Sequence, residues 1–213
     1  MELLQNNFVI NLETRTDRMV HVEQEFRKIN LKYNRFNAIK MKNGAVGCTL
    51  SHIKCLELAI QNDYDQVFIC EDDITFLDSN RMIQSLTKFN DKIKTWDVLL
   101  IGGNVIQPYT QIDDFCLKVT NIQTTTGYVV NKHYYVTLID NFKTGLQQLL
   151  RTNQKRFYAI DMYWKHLQSK DDWYFLYPLT VTQYENYSDI EERNTNYNHL
   201  MLDPEKKWLY KRN

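Results

Sequence analysis

Gln66-Val67-Phe68-Ile69-Cys70-Glu71-Asp72-Asp73 is the stretch whose reading decides the fold. Its apolar residues run without polar alternation, the pattern of a strand buried on both faces, and such strands belong to sheets covered by helices. The run then meets three consecutive acids. In an open parallel sheet, ligands bind outside the carboxyl ends of the strands, where these acids should stand. Three adjacent carboxylates repel one another unless a cation or hydrogen-bond donors compensate. In an extended chain Glu71 and Asp73 point to one side and Asp72 to the other. The first two could therefore grip a hard cation such as Mn²⁺ or Mg²⁺, with Asp72 turned to a helix end or a neighbouring donor. A solvated strand-to-loop junction, or a cap for the next helix, would carry the same letters.

Working outward, Phe8-Val9-Ile10-Asn11-Leu12 predicts another buried strand. Thr14 or Thr16 could cap a helix whose apolar positions are Met19, Val22, Phe26 and Ile29. Lys32 to Ile39 reads as a strand and Lys42-Asn43-Gly44 as a turn, with Ser51 placed to cap a helix carrying Ile53, Leu56, Leu58, Ala59 and Ile60. A helix from about Ser79 to Lys94 leads into Val98-Leu99-Leu100-Ile101, closed by Gly102-Gly103-Asn104. This alternation predicts an α/β fold with a Rossmann-type, mostly parallel sheet flanked by helices. The second half is less regular. Strands are expected at Phe115–Val119, Gly127–Val130 and Trp173–Val181, with helices over Tyr134–Leu150 and Ile160–Leu167. No linker or repeat divides the chain, so one domain is expected over residues 1–213, with a polar, Asn-rich tail from about Asn186.

The 213 residues carry 26 Lys+Arg against 26 Asp+Glu, which argues against nucleic-acid binding through a broad basic footprint. Only 6 Gly and 3 Pro exclude collagen-like and low-complexity architectures. Cys48, Cys55, Cys70 and Cys116 show no CxxC pair, and Cys55 and Cys70 read as small buried residues. Met1 to Asn7 lacks a basic segment followed by an apolar one, and no stretch approaches the roughly 20 apolar residues of a transmembrane helix. A reduced, cytoplasmic protein is the expectation. Arg15 and Arg18 leave the first strand and suit phosphate recognition. Gly47-Cys48-Thr49-Leu50-Ser51-His52 enters the second helix, whose N-terminus could bind an anion with Ser51 or Thr49 as cap. On its own His52 reads more readily as a structural histidine. Neither GxGxxG nor GxxxxGK[ST] is present, and no Ser/His/Asp or Cys/His arrangement is favoured by spacing.

As an ordered set these segments resemble glycosyltransferase family 25, which contains bacterial lipooligosaccharide galactosyltransferases and procollagen hydroxylysine galactosyltransferases. The resemblance is carried by Phe8-Val9-Ile10-Asn11-Leu12 with Arg15, Asp17 and Arg18, by Phe36-Asn37-Ala38, and by Gly47 to His52. It continues through Ile69-Cys70-Glu71-Asp72-Asp73-Ile74-Thr75-Phe76, Thr126-Gly127-Tyr128-Val129-Val130, Asp161, Gln183 and Ser188-Asp189-Ile190, spanning about Phe8 to Ile190. It implies a GT-A-like fold, a UDP-sugar donor and inversion at the anomeric centre. Residues 1–105 would form the nucleotide-sugar half, 106–190 the acceptor side and 191–213 a tail. Glu71 and Asp73 would stand at the ends of a DxD-like motif, with Mn²⁺ held chiefly by Asp73 and with Glu71 on ribose or metal-bound water. Asn11, Arg15, Arg18, Ser51, His52 and Asp72 would line the donor pocket, and Gln183 and Ser188-Asp189 would lie near the diphosphate or acceptor. A late histidine, His199 or His166, would complete the metal shell. The chain looks like a short bacterial or viral member, working in the host cytoplasm if viral.

The implied reaction is a direct displacement of a galactose or glucose unit onto a glycan or hydroxylysine hydroxyl. Asp161 is the preferred general base and Asp189 the runner-up; Asp161 as a helix cap is the competing reading. Two other functions fit the letters. A nucleotidyltransferase can also use strand-end acids with a divalent metal. A non-catalytic carbohydrate- or protein-binding module could use Trp96, Trp164, Trp173 and Trp208 as platforms. Trp208-Leu209-Tyr210 could also cover a second subunit in a homo-oligomer.

Overall fold

The computed structural model describes residues 1–206. In chain order the first half gives β1 (Asn7–Asn11), α1 (Thr16–Lys28), β2 (Arg35–Asn37), α2 (Gly44–Gln61), β3 (Gln66–Glu71), β4 (Ile74–Phe76), α3 (Ser79–Lys92) and β5 (Val98–Val105). An edge hairpin of β6 (Tyr109–Asp113) and β7 (Cys116–Val119) follows, then the long strand β8 (Ile122–Asn131) and helix α4 (Tyr135–Thr152). Three one-turn helices come next, α5 (Lys155–Tyr158), α6 (Ile160–Tyr163) and α7 (Lys165–Gln168). The described chain ends with β9 (Trp173–Leu176), β10 (Val181–Gln183), the pair β11 (Asn186–Ser188) and β12 (Arg193–Thr195), and α8 (Asn198–Met201).

Eight strands form one sheet in the order β2-β1-β3-β8-β5-β9-β7-β6. The parallel pairings are β1 with β2, β1 with β3 and β5 with β9; the other four are antiparallel. The sheet is therefore mixed, where the apolar runs predicted a mostly parallel one. The difference comes from β8, which inserts antiparallel between β3 and β5. Its first half, Ile122-Gln123-Thr124-Thr125-Thr126, is mainly polar and carries no apolar signal. β4 and β6 were missed for a similar reason, being short or polar. The stretch read as one strand from Trp173 to Val181 breaks at Pro178, which has no N–H to give a ladder. Trp164 interrupts the expected Ile160–Leu167 helix.

Alternation along the central strands feeds two cores. Phe8 and Ile10, Val67 and Ile69, and Val98 and Leu100 pack with Ile53 and Leu56 of α2 and Leu138 and Phe142 of α4. Val9, Phe68, Cys70, Leu99 and Ile101 face the other way, onto Val22 and Phe26 of α1 and Met82, Leu86 and Phe89 of α3. Trp96, Trp164 and Trp173 are buried in these layers, so they are packing elements and not sugar platforms. Trp208, Leu209 and Tyr210 lie outside the described residues. All four cysteines are free thiols. No helix among the described residues is long and apolar enough to cross a membrane.

Helix α2 begins earlier than its sequence suggests. Asn43 caps it, its side chain accepting from the Ala45 N–H, so the expected turn at 42–44 is the helix start. Ser51 is not a cap. It lies two turns inside, donating to the Gly47 carbonyl at 2.7 Å and accepting from the Ile39 N–H at 2.9 Å. Gly47 lets this helix touch the preceding loop, since a Cβ there would stand 2.4 Å from the Ile39 carbonyl oxygen. Backbone cannot swing aside as a side chain can. Gly47→Ala should therefore destabilise the fold by about 1–3 kcal/mol, measured as a lower urea midpoint with an unchanged slope.

Candidate active site

The alternation that sends Val67 and Ile69 toward α2 sends Glu71 the same way, at the carboxyl end of β3. One Glu71 carboxylate oxygen, Oε1, accepts from the Thr125 hydroxyl at 2.6 Å and from the Cys48 thiol at 3.6 Å. His52 Nε2 stands 3.5 Å from the same oxygen. His52 is fully buried behind Glu71, its Nδ1 2.7 Å from the Tyr128 hydroxyl, while Nε2 has no hydrogen-bond partner among the described residues. Burial works to raise the Glu71 carboxyl, but the contacts with His52 and Thr125 outweigh it and hold the group below its ordinary range. Burial and the facing Glu71 push the Cys48 thiol far up, so it stays protonated.

Asp72 turns away from Glu71, but it and Asp73 lie in a turn beyond β3, so the alternation of an extended chain does not carry past Glu71. Asp72 accepts from Asn11 Nδ2 at 2.7 Å and from Arg18 Nη1 at 2.5 Å. The same Arg18 nitrogen lies 3.5 Å from Asp73. Asp73 is further fixed by its carbonyl, which accepts from the Tyr184 N–H at 2.6 Å, and by Gln183 Nε2 at 3.5 Å from Oδ1. Burial, then the neighbouring Glu71 charge, drives the Asp73 carboxyl well above the usual range. Asp72 and Asp73 thus share Arg18, while Glu71 stands against His52 and Thr125.

These acids line a cleft of about 550 Å³, a size suited to a small-molecule ligand. Asp161 lines the same cleft from the first turn of α6. Its Oδ2 accepts from the Thr124 N–H at 3.1 Å. Thr124 holds φ 72°, a left-handed conformation that β-branched residues rarely adopt and that costs on the order of 1–3 kcal/mol. Burial raises the Asp161 carboxyl against this hydrogen bond, and the Glu71 charge adds to the rise.

The arginines are occupied. Arg15 pairs with Asp17 at 2.9 Å and Asp189 at 2.6 Å, and donates to the Tyr187 carbonyl at 3.0 Å. Arg18 donates to that same carbonyl at 2.9 Å. Together they fasten β11 to the start of α1. Ser51, Gln183, Ser188 and Asp189 line the cleft, but Asn11 and Arg15, expected on the donor pocket, do not: Asn11 is buried, accepting from Arg35 Nε at 2.9 Å. His52 is behind the wall and not on it. His199 is exposed on α8 and outside the lining, and His166 is exposed with its ring nitrogens on Asn141 and the Tyr163 carbonyl. Neither histidine is brought to Glu71 and Asp73.

Cys48, Thr125, Tyr128 and Thr124 belong to the site and were missed in the sequence. One signal was available: Cys48 and His52 are four apart on a helix and so share a face. Their ligand atoms and that of Glu71 lie within 4.8 Å of one another, a set able to hold a metal ion. The two arginines differ in what surrounds them. Arg18→Met leaves Asp72 buried without its cation and should cost about 3–5 kcal/mol in chemical denaturation. Arg15→Met, whose partners Asp17 and Asp189 are 54% and 45% exposed, should cost under about 1 kcal/mol.

With the geometry in view, comparison with known proteins gives the family. The model of glycosyltransferase family 25, described as LPS biosynthesis protein, matches residues 4–45 and 40–135. A Haemophilus influenzae protein named "Putative glycosyltransferase" is 30% identical over 111 residues, 42% of this chain and 39% of the relative, so the chain spans about two-fifths of that protein. Among solved structures, A197 from STIV superposes with a TM-score of 0.49 at 14% identity, covering 91% of this chain and 95% of that one. A Drosophila β-1,4-galactosyltransferase 7 crystallised with manganese, UDP-Gal and xylobiose gives 0.46 at 10% identity, covering 98% and 80%. A glycosyltransferase involved in glycosylation of the major capsid of PBCV-1 gives 0.43 at 10% identity, covering 80% and 92%. On the extent of the family-model match, this chain belongs to glycosyltransferase family 25.

Proposed function

We propose that this protein transfers a hexose, galactose or glucose, from a UDP-sugar to an acceptor hydroxyl on a glycan or a hydroxylysine, with inversion at the anomeric carbon. The observation that carries the reading is Glu71 and Asp73 lining one cleft with Asp161, while Arg18 offsets Asp72 and Asp73 at the strand end. A hard divalent cation, Mn²⁺ or Mg²⁺, fits this donor set. Asp73 is driven toward its neutral form first by burial and then by the neighbouring Glu71 charge, and a cation would relieve the second. Glu71 and Asp73 would hold it, and when bound it supplies neutralisation of the diphosphate leaving group.

The remaining chemistry belongs to the chain. Thr125 and His52 hold Glu71 ionised and in place. Arg18 and Asn11 fix Asp72, and so the turn that aims Asp73. Arg15 and Arg18 shape the donor side by fastening β11 and the acids, since their guanidinium groups are already engaged. Asp161, oriented by the Thr124 N–H, takes the proton of the acceptor hydroxyl. As that oxygen bonds to the anomeric carbon, the bond from carbon to the β-phosphate oxygen breaks and UDP leaves with the electron pair. A carboxylate whose affinity for a proton is raised by burial is suited to this role. Inversion needs one such base on the face opposite the leaving group. Gln183 and Ser188 are placed to position the diphosphate or the acceptor.

The test is UDP release from a panel of UDP-sugars, first with Mn²⁺ and then with EDTA. One sugar should be hydrolysed slowly without acceptor, and release should stop in EDTA and in Asp73→Ala. Asp161→Asn should lower transfer about 10²–10⁴-fold while leaving UDP affinity within about twofold. Silence across the panel together with no calorimetric binding of UDP would overturn the reading. Loss of UDP binding in Asp161→Asn would overturn the base assignment alone.

A further inference from the structure

Acids dominate the floor of the cleft, yet one rim is basic. Lys40, Lys42, Lys155 and Arg156 all line the cleft and all are exposed. None of the four enters an ion pair among the described residues. The other cation lining the cleft, Arg18, is held by carboxylates. The two basic pairs come from distant segments, the loop before α2 and the start of α5. A side-chain hydrogen bond joins these segments, Asn43 Nδ2 donating to Asn153 Oδ1 at 3.0 Å. The rim is thus a joined surface and not two strays. Four unpaired cations beside a cleft form a site for an anionic group.

We infer that this rim binds a phosphate or carboxylate carried by the acceptor, so that the preferred acceptor is an anionic saccharide. This deepens the transferase reading and rests on it. The acceptor is favoured over the donor diphosphate by the course of the chain. Lys155 and Arg156 open α5, which runs directly into α6 and Asp161, the proposed base. An anion held on α5 belongs to the molecule whose hydroxyl faces Asp161. The strand-end acids and their cation, from another part of the chain, serve the donor.

The probes are glucose 6-phosphate, glucuronate and neutral glucose, measured by calorimetry on the whole chain alongside UDP with Mn²⁺. Glucose 6-phosphate should bind more tightly than glucose, and binding should weaken as salt rises. The double variants Lys155→Glu/Arg156→Glu and Lys40→Glu/Lys42→Glu should each weaken sugar-phosphate binding about tenfold or more, with UDP affinity within about twofold of the parent. Double glutamine variants, whose thermal unfolding should match the parent, should show a smaller loss in the same direction. Equal binding of glucose and its phosphate, or unchanged sugar-phosphate binding in both charge-reversed variants, would overturn the inference. A parallel fall in UDP affinity would overturn it too, assigning the rim to the donor diphosphate. Sugar-phosphate binding that needs the rim, in a protein that releases no UDP, would count for the rim and against the transferase reading.

Discussion

Arg18 is the constraint on which the site depends. Its guanidinium meets Asp72 at 2.5 Å, stands 3.5 Å from Asp73 and donates to the Tyr187 carbonyl at 2.9 Å. One side chain therefore offsets the acids at the end of β3 and fastens the segment that crosses the cleft near them. It is only 11% exposed, so its charge acts with little screening by water. Without it, three carboxylates at the end of an apolar strand would disfavour the very turn that aims them. The β-sheet supplies the platform, and this ion pair makes the platform's acidic edge tolerable.

The first half of the fold was legible because its strands are uniformly apolar and its helices amphipathic. The rest was less so because β8 is long and half polar. Its threonines lie beyond the pairing with β3, which ends at Gly127, and Thr124 and Thr125 reach the acids, yet nothing in the letters distinguishes such a strand from a loop. Orientation was the other hidden quantity. Periodicity separated Asp72 from Glu71 but not from Asp73, because β3 ends at Glu71 and the two aspartates lie in a turn where parity no longer applies, both beside Arg18. It could not show that Arg15 would also be held by Asp189, because that contact closes over 174 residues. Ser51 was misread as a cap because helix α2 starts seven residues earlier, at Gly44.

The buried line of Tyr128, His52 and Glu71 shows how an internal core and an active edge are made continuous. Tyr128 belongs to the packed layer against Trp164, with ring centroids 5.5 Å apart. Its hydroxyl meets His52, and His52 meets Glu71, so the carboxylate at the cleft is backed by an aromatic core and not by water. Buried polar groups of this kind are costly unless partnered, and the unpartnered Nε2 of His52 looks directly to the carboxylate. Position, more than affinity, is what such backing supplies.

The left-handed backbone at Thr124 has a consequence for how this protein can change over generations. A glycine there would relax the strain and tighten the fold, while freeing the peptide whose N–H steadies Asp161. Selection for robustness and selection for aim pull this one residue in opposite directions. A threonine kept at such a dihedral angle marks the place where the molecule accepts a weaker fold in return for a better-held carboxylate.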